Sequence, residues 1–444
     1  MAKNLNSNVA PKLGAWSKAS ALKNRILFTL GVLVIYRLGT YIPIPGINPL
    51  VLKDFLSDNS QGLLGIFDLF SGGALGRMTI FALNIIPYIT ASIMMQLFVI
   101  IFPYLNELRK EGESGRREIN QYTRYLTLIV CFIQALGIAI GLESLQAGNV
   151  SAVIEPGWMF RIMTAITLTA GTFFVLWMGE KITERGIGNG VSLIIFAGIV
   201  ANLPFALATL LTLGEKGALS VITVIGILIM VVLIIYGIVF METAQRRIVV
   251  KYPKRQIGNN KLSSGESSYL PLKINNAGVI PPIFASSLLL VPATLLSFSG
   301  EANSWLGNLG VYLGRGQFLY LFLYAALITF FAFFYVSVVF NPKETADNLK
   351  NHGGIILGIR PGNDTSKYLE FVLNRLTAIG AFYLVLVCLL PEFLISKLSI
   401  PFYFGGTSLL IVVSVTIDTI TQVQSHLMSY QYDNILKKAK AGKR

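Results

Sequence analysis

The chain has 444 residues, 54% of them hydrophobic and only 13% charged, with mean hydropathy +0.65, which excludes a soluble globular protein of this size. Its apolar residues come in long unbroken runs and lack the alternation of barrel strands, so helices must carry the chain through the bilayer. A hydrocarbon core about 30 Å thick takes roughly 20 apolar residues per helix, and about ten stretches approach or exceed that length.

In chain order, Leu13, Trp16 and Leu22 among Lys12, Lys18 and Lys23 read as an amphipathic helix on the inner membrane surface, within a cytosolic segment 1–25. Spans then centre on 26–41, 79–102, 125–141, 159–178 and 191–210, a first half covering 26–210. The second half, 211–423, holds spans at 218–241, 274–298, 318–340, 372–394 and 402–423, and a basic tail follows over 424–444. The first run lies behind a long polar stretch and lacks a small-residue cleavage site, so it is expected to be retained. The net charge of +14 crowds before the first span, into the even-numbered connections and into the tail. The positive-inside rule therefore puts both termini in the cytosol.

Between spans one and two, "GLLGIFDLFSGGALGR" (62–77) is apolar but too short to cross. A re-entrant helix with a glycine hinge and an interfacial helix both fit its composition. Span two carries "NIIPYIT", which places Asn84 and Pro87 within a greasy run. Proline in a transmembrane helix frees carbonyls that are tolerated only against protein or water, so the break is expected to face an internal passage; a kink in a packed helix is the plainer reading. An I-P-x-I-x-A-S match links 86–92 to 280–286, corresponding positions in two five-span halves. This suggests an inverted repeat with a pathway at its seam, although so short a match in an apolar alphabet also arises by chance.

The inner loops around 242–273 and 341–371 are longer than topology requires. "RRIVVKY" and "SSYLPLKI" read as the strands of a projecting hairpin, and "GIRPG" holds Arg360 at a turn. Such basic loops suit an acidic or phosphate-bearing partner, ordinary orientation charge being the alternative. Catalytic signatures are missing from the sequence: it has no phosphate loop, His352 and His426 lack companions at metal spacing, and "GESG" (112–115) reads as a solvated turn. Cys131 and Cys388 fall inside spans and imply no disulfide framework. Glu180, Glu184 and Asp418 sit near cytosolic span ends, away from the span centres where an ion-coupled carrier keeps its ionisable groups.

The motifs "YIPIPGI", "FSGGALGR", "PYITASI", "KEGESGRREINQYTRY", "TERGIGNG", "QRRIVV", "LPLKIN", "VFNPKETADNLK", "GIRPG" and "IPFYFGGTSLLI" resemble, in the same order from 41 to 432, those of the SecY family, the channel subunits of the general protein translocase, in its bacterial form. The resemblance implies an all-α integral membrane protein of the bacterial cytoplasmic membrane, with ten transmembrane helices in two inverted five-helix halves around an hourglass pore. It implies a non-enzymatic channel without cofactor or metal, conducting unfolded secretory chains and releasing apolar segments into lipid. Matching motifs would place an aliphatic ring at Ile85, Ile89, Val191, Ile195, Ile283 and Ile411, Val191 being smaller than the family's usual isoleucine. A short re-entrant plug would comprise Phe67, Asp68, Leu69, Phe70, Ser71, Gly72, Gly73, Ala74, Leu75, Gly76 and Arg77. A lateral gate would be bordered by Pro87, Thr90 and Ser92 on one side and Pro281, Pro282 and Ser286 on the other.

By the same resemblance, Arg246, Arg247, Lys251, Arg255 and Arg360 would dock the SecA motor ATPase or the ribosome, and SecE and SecG would be companion subunits. Preproteins, signal peptides and membrane lipid are the other expected partners. The hairpin tip departs from the family, with Asn259-Asn260-Lys261 where relatives often carry arginines, which weakens ribosome docking there. Two rival readings make contrary demands. A five-plus-five secondary transporter of a small solute needs a central substrate or ion site, and an intramembrane hydrolase needs a nucleophile and base at membrane depth.

Overall fold

The computed structural model describes residues 20–48, 71–144, 146–147, 150–216, 220–252, 267–298, 317–398 and 406–441. The amphipathic segment before residue 20, plug positions Phe67, Asp68, Leu69 and Phe70, and Arg255 lie outside them. The apolar runs fold into helices because only a helix satisfies every backbone polar group within one segment of a bilayer. In chain order these are α1 (Ser20–Gly39), α2 (Ile86–Ile101), α3 (Pro103–Lys110), α4 (Glu113–Ser144), α5 (Trp158–Arg185), α6 (Gly190–Glu215), α7 (Val221–Thr243), α8 (Ile280–Phe298), α9 (Phe318–Val339), α10 (Pro342–Asn351), α11 (Asn363–Leu398) and α12 (Gly406–Ala441). Apart from the short polar α3 and α10, each falls on one of the expected spans. Among the described residues, seven helices are long and apolar enough to cross a membrane, or eight if α2 and α3, bent by 98° at Phe102, count as one.

Spans two and seven depart from expectation. They are not helices broken at mid-length: α2 starts at Ile86 and α8 at Ile280. Pro87 and Pro281 thus occupy first turns, where the missing N–H costs no helical hydrogen bond and the fixed φ favours initiation. Ahead of α2, Ser71 is helical and the chain then runs without regular helix from Gly72 to Ile85. Asn84 closes this stretch at φ +49, a left-handed conformation that Asn tolerates better than most side chains.

The helices of the first five spans pack mainly on one another, α4 between α2 and α5, with α6 on α5 and α1 against both α5 and α6. In the rest of the chain α9 lies between α8 and α11, and α12 contacts α7 and α11. The two groups meet where α8 touches α2 and α4, and where α12 and α7 touch α6. Close crossings depend on glycine. A Cβ at Gly190 would strike the Gly179 carbonyl, one at Gly171 the Ile80 carbonyl, and one at Gly406 the Val387 carbonyl.

The expected hairpin is present: β3 (Gln245–Lys251) pairs antiparallel with β4 (Ser267–Lys273), Ile248 facing Leu270. A two-residue strand, β5 (Ile355–Ile356), adds to the other edge of β3. One face of this sheet, with Ile248, Val250, Leu272 and Ile356, packs on Leu369, Val372, Leu373 and Leu376 of α11. A second short hairpin joins β1 (Gln146–Ala147) to β2 (Val150–Ser151), between α4 and α5.

Candidate functional site

Four of the six aliphatic positions singled out in the sequence meet at one place. Ile85 and Ile89 at the start of α2, Ile195 of α6 and Ile283 of α8 line a cleft with a free volume of only about 10 Å³, scarcely one water. Asn84, Ile86, Ser286 and Ser287 complete its wall. Val191 and Ile411 belong to the same hydrophobic cluster without lining the cleft. The convergence has local causes. Asn189 caps α6, its Oδ1 accepting from the Val191 N–H at 3.1 Å, which starts the helix just ahead of Val191 and Ile195. An apolar constriction this narrow excludes hydrated ions by dewetting and offers a moving peptide no fixed partner.

The described part of the glycine-rich segment is tied down by its own Arg77 and Ser71 and by two residues that sequence reasoning did not single out, Tyr36 and Arg37. The Arg37 guanidinium donates to the Gly72 carbonyl at 2.7 Å, while Arg77 donates to Gly73 O at 2.9 Å and to Gly72 O at 3.2 Å. Tyr36 donates to Ser71 O at 3.4 Å and also hydrogen-bonds Asn84, linking the segment to the turn that opens α2. The Ser71 hydroxyl accepts from the Leu75 N–H. Gly72, at φ +70, lies so close to Gly198 of α6 that a Cβ would stand 3.0 Å from the Gly198 Cα. Both guanidiniums flank Tyr41, Arg77 lying 4.1 Å and Arg37 5.3 Å from its ring centre. The signal in the sequence was Arg37 itself, a charge at the end of an otherwise apolar span.

The seam between α2 and α8 is shut. Pro87, Thr90, Pro281, Pro282 and Ser286 are buried and Ser92 is half-buried. Thr90 and Ser286 turn their hydroxyls back to the carbonyls of Ile86 and Ile283, so neither binds across the seam. The contact is therefore apolar packing that can part without leaving charges exposed. On the hairpin side, Arg246, Arg247, Lys251 and Arg360 are all exposed. Strand alternation sends Arg247 and Lys251 away from the face packed on α11. Arg360 stands in the turn between Gly358 (φ +83) and Gly362 (φ +107), which is fastened by the Thr365 hydroxyl donating to Arg360 O.

Comparison with known proteins bears on all of this. The SecY family profile matches residues 79–420. The chain is 50% identical over 436 residues to the protein translocase subunit SecY of Rickettsia bellii, covering 98% of this chain and 99% of that one. Among solved structures, it is similar to one described as a protein conducting channel, with TM-score 0.63 and 20% identity over 91% of this chain and 92% of that one. It is also similar to Sec61 in the canine ribosome-channel complex, with TM-score 0.61 and 19% identity over the same shares. At such identities the structural likeness speaks for the fold.

Proposed function

The chain belongs to the SecY family, and on that premise we propose that the cleft of Ile85, Ile89, Ile195 and Ile283 is the closed waist of a protein-conducting pore. The protein is the channel subunit of a protein translocase, a multi-pass membrane protein that passes unfolded secretory polypeptides through the membrane. The single observation that carries the site assignment is the meeting of four isoleucines from three helices, Ile195 among them lying one turn of α6 before Gly198, against which Gly72 packs. Val191 and Ile411 join the ring when the waist widens. Ser71, Gly72, Gly73, Ala74, Leu75, Gly76 and Arg77 belong to the plug, and the α2–α8 seam is the lateral gate. Residues 26–210 and 211–423 are the two inverted halves, meeting at that seam.

The exposed Arg246, Arg247, Lys251 and Arg360 form the cytosolic docking face, with the SecA motor or the ribosome as partner; the similarity to Sec61 in a ribosome-channel complex supports the latter. SecE and SecG are the companion subunits, the membrane is the bacterial inner membrane, and both termini face the cytosol. The protein itself catalyses no reaction; the work of translocation comes from the docked partner. A small-solute carrier is not favoured, because among the described residues no ionisable side chain lines the cleft. The test is reconstitution in proteoliposomes with SecE, SecG, SecA and ATP. A secretory preprotein should become protease-protected, whereas uptake of a small solute without preprotein protection would overturn the reading.

A further inference from the structure

One buried acid lies away from the waist. Glu242, in the last turn of α7, is 8% exposed, and Asn275, between β4 and α8, is 3% exposed. The Asn275 amide donates to the Glu242 carboxylate at 2.7 Å and to the Gly278 carbonyl at 3.1 Å. The reverse amide orientation would set oxygen against carboxylate and carbonyl, so chemistry fixes which way Asn275 points. These contacts sit at the root of the hairpin. Gln245 opens β3 three residues after Glu242, and β4 ends at Lys273, two before Asn275. The Ile274 N–H donates to Ala244 O at 3.1 Å and closes the same root. Gly278, at φ +61, then turns the chain into α8. From behind, Gly380 of α11 supports the joint; a Cβ there would stand 3.1 Å from Ile274 O.

We propose that Asn275, held by Glu242, is a positioning residue that fixes the first turn of α8 to the root of the cytosolic hairpin. A partner that tilts the hairpin then moves Ile280, Pro281 and Ile283 with it, and so acts on the seam and the waist. The hydrogen bond does this work, and the carboxylate charge is not required. The proposal rests on the reading of the hairpin as a docking face and of α8 as a gate helix.

The test uses the full chain with its companion subunits in nanodiscs, with Cys131 and Cys388 replaced by alanine. Spin labels at Ile100→Cys of α2 and Leu288→Cys of α8, both exposed positions, report the α2–α8 distance by pulsed EPR. At rest, Asn275→Asp and Glu242→Leu should broaden the distance distribution, whereas Glu242→Gln, which still accepts the amide, should match the parent. Combining Glu242→Leu with Asn275→Asp should add nothing to Asn275→Asp alone, which already loses the shared bond together with the one to Gly278 O. Asp418→Asn is the control. Its exposed carboxylate lies 4.0 Å from Lys273, and its loss should leave the distribution unchanged.

Added ribosomes should shift the distance in the parent and in Glu242→Gln. They should bind Asn275→Asp equally tightly while shifting it about tenfold less in population. An unchanged Asn275→Asp at rest, or a Glu242→Gln as broad as Glu242→Leu, would overturn the proposal. A parent that binds no ribosomes would refute the docking reading instead, and the resting distances would still decide on Asn275.

Discussion

Replacing Arg37 by Met keeps the aliphatic stem at the end of α1 and removes the guanidinium that donates to Gly72 O at 2.7 Å. A charge-assisted hydrogen bond of this kind contributes about 1.5–3 kcal/mol. Arg37 is only half-buried, so solvent screening takes the expected loss toward the lower end, about 1.4 kcal/mol, or a tenfold change in an equilibrium. Arg77 retains its two carbonyl contacts, so the segment is loosened and not released. The ratio of displaced to seated segment 71–77, the proposed plug, should therefore rise about tenfold. Planar-bilayer recording of the channel without preprotein reads this directly as the fraction of time spent conducting ions. Arg37→Met should raise that fraction by about an order of magnitude, and Arg37→Met with Arg77→Met should raise it further. If both variants assemble normally and leak no more than the parent, the anchoring argument is wrong.

Other consequences follow from single contacts. Ile283→Asn puts an amide into a cleft of about 10 Å³ and should hydrate it, raising resting ion leak, whereas Ile283→Leu should stay sealed; equal leak from both would argue against dewetting. Gly406→Ala drives a Cβ into the Val387 carbonyl and should destabilise by about 1–3 kcal/mol, seen as a lower thermal midpoint in nanodiscs. Gly226→Ala on α7 meets nothing within 4 Å and should be neutral or mildly stabilising in the same assay.

The membrane class and the positions of the helices were legible because long apolar runs have one stable form in lipid. The hairpin was legible too, since "RRIVVKY" and "SSYLPLKI" carry β-propensity around a turn-rich middle. Proline was ambiguous. Pro87 and Pro281 looked like breaks within spans, yet a proline that interrupts a helix also starts one well, and only the turns over 79–85 separate the two outcomes. The strand β5 is two residues long and forms because β3 offers an open edge, a tertiary cause with no local pattern. The anchor was hidden for a similar reason: Arg37 and Gly72 are 35 residues apart, and their contact depends on Gly72 fitting against Gly198. Glu242 and Asn275 are likewise 33 residues apart in the chain, and only the hairpin brings them together.

The central claim is that a translocating chain passes the waist lined by Ile85 and Ile283. Its most direct test is site-specific photocrosslinking in membranes carrying a stalled secretory chain, with the probe at Ile85 or Ile283 and a control at Ile129, an exposed position on α4. Strong adducts with the stalled chain at Ile85 and Ile283, and none at Ile129, are the predicted result. Translocation that proceeds with adducts only at Ile129 would contradict the account and place the path elsewhere.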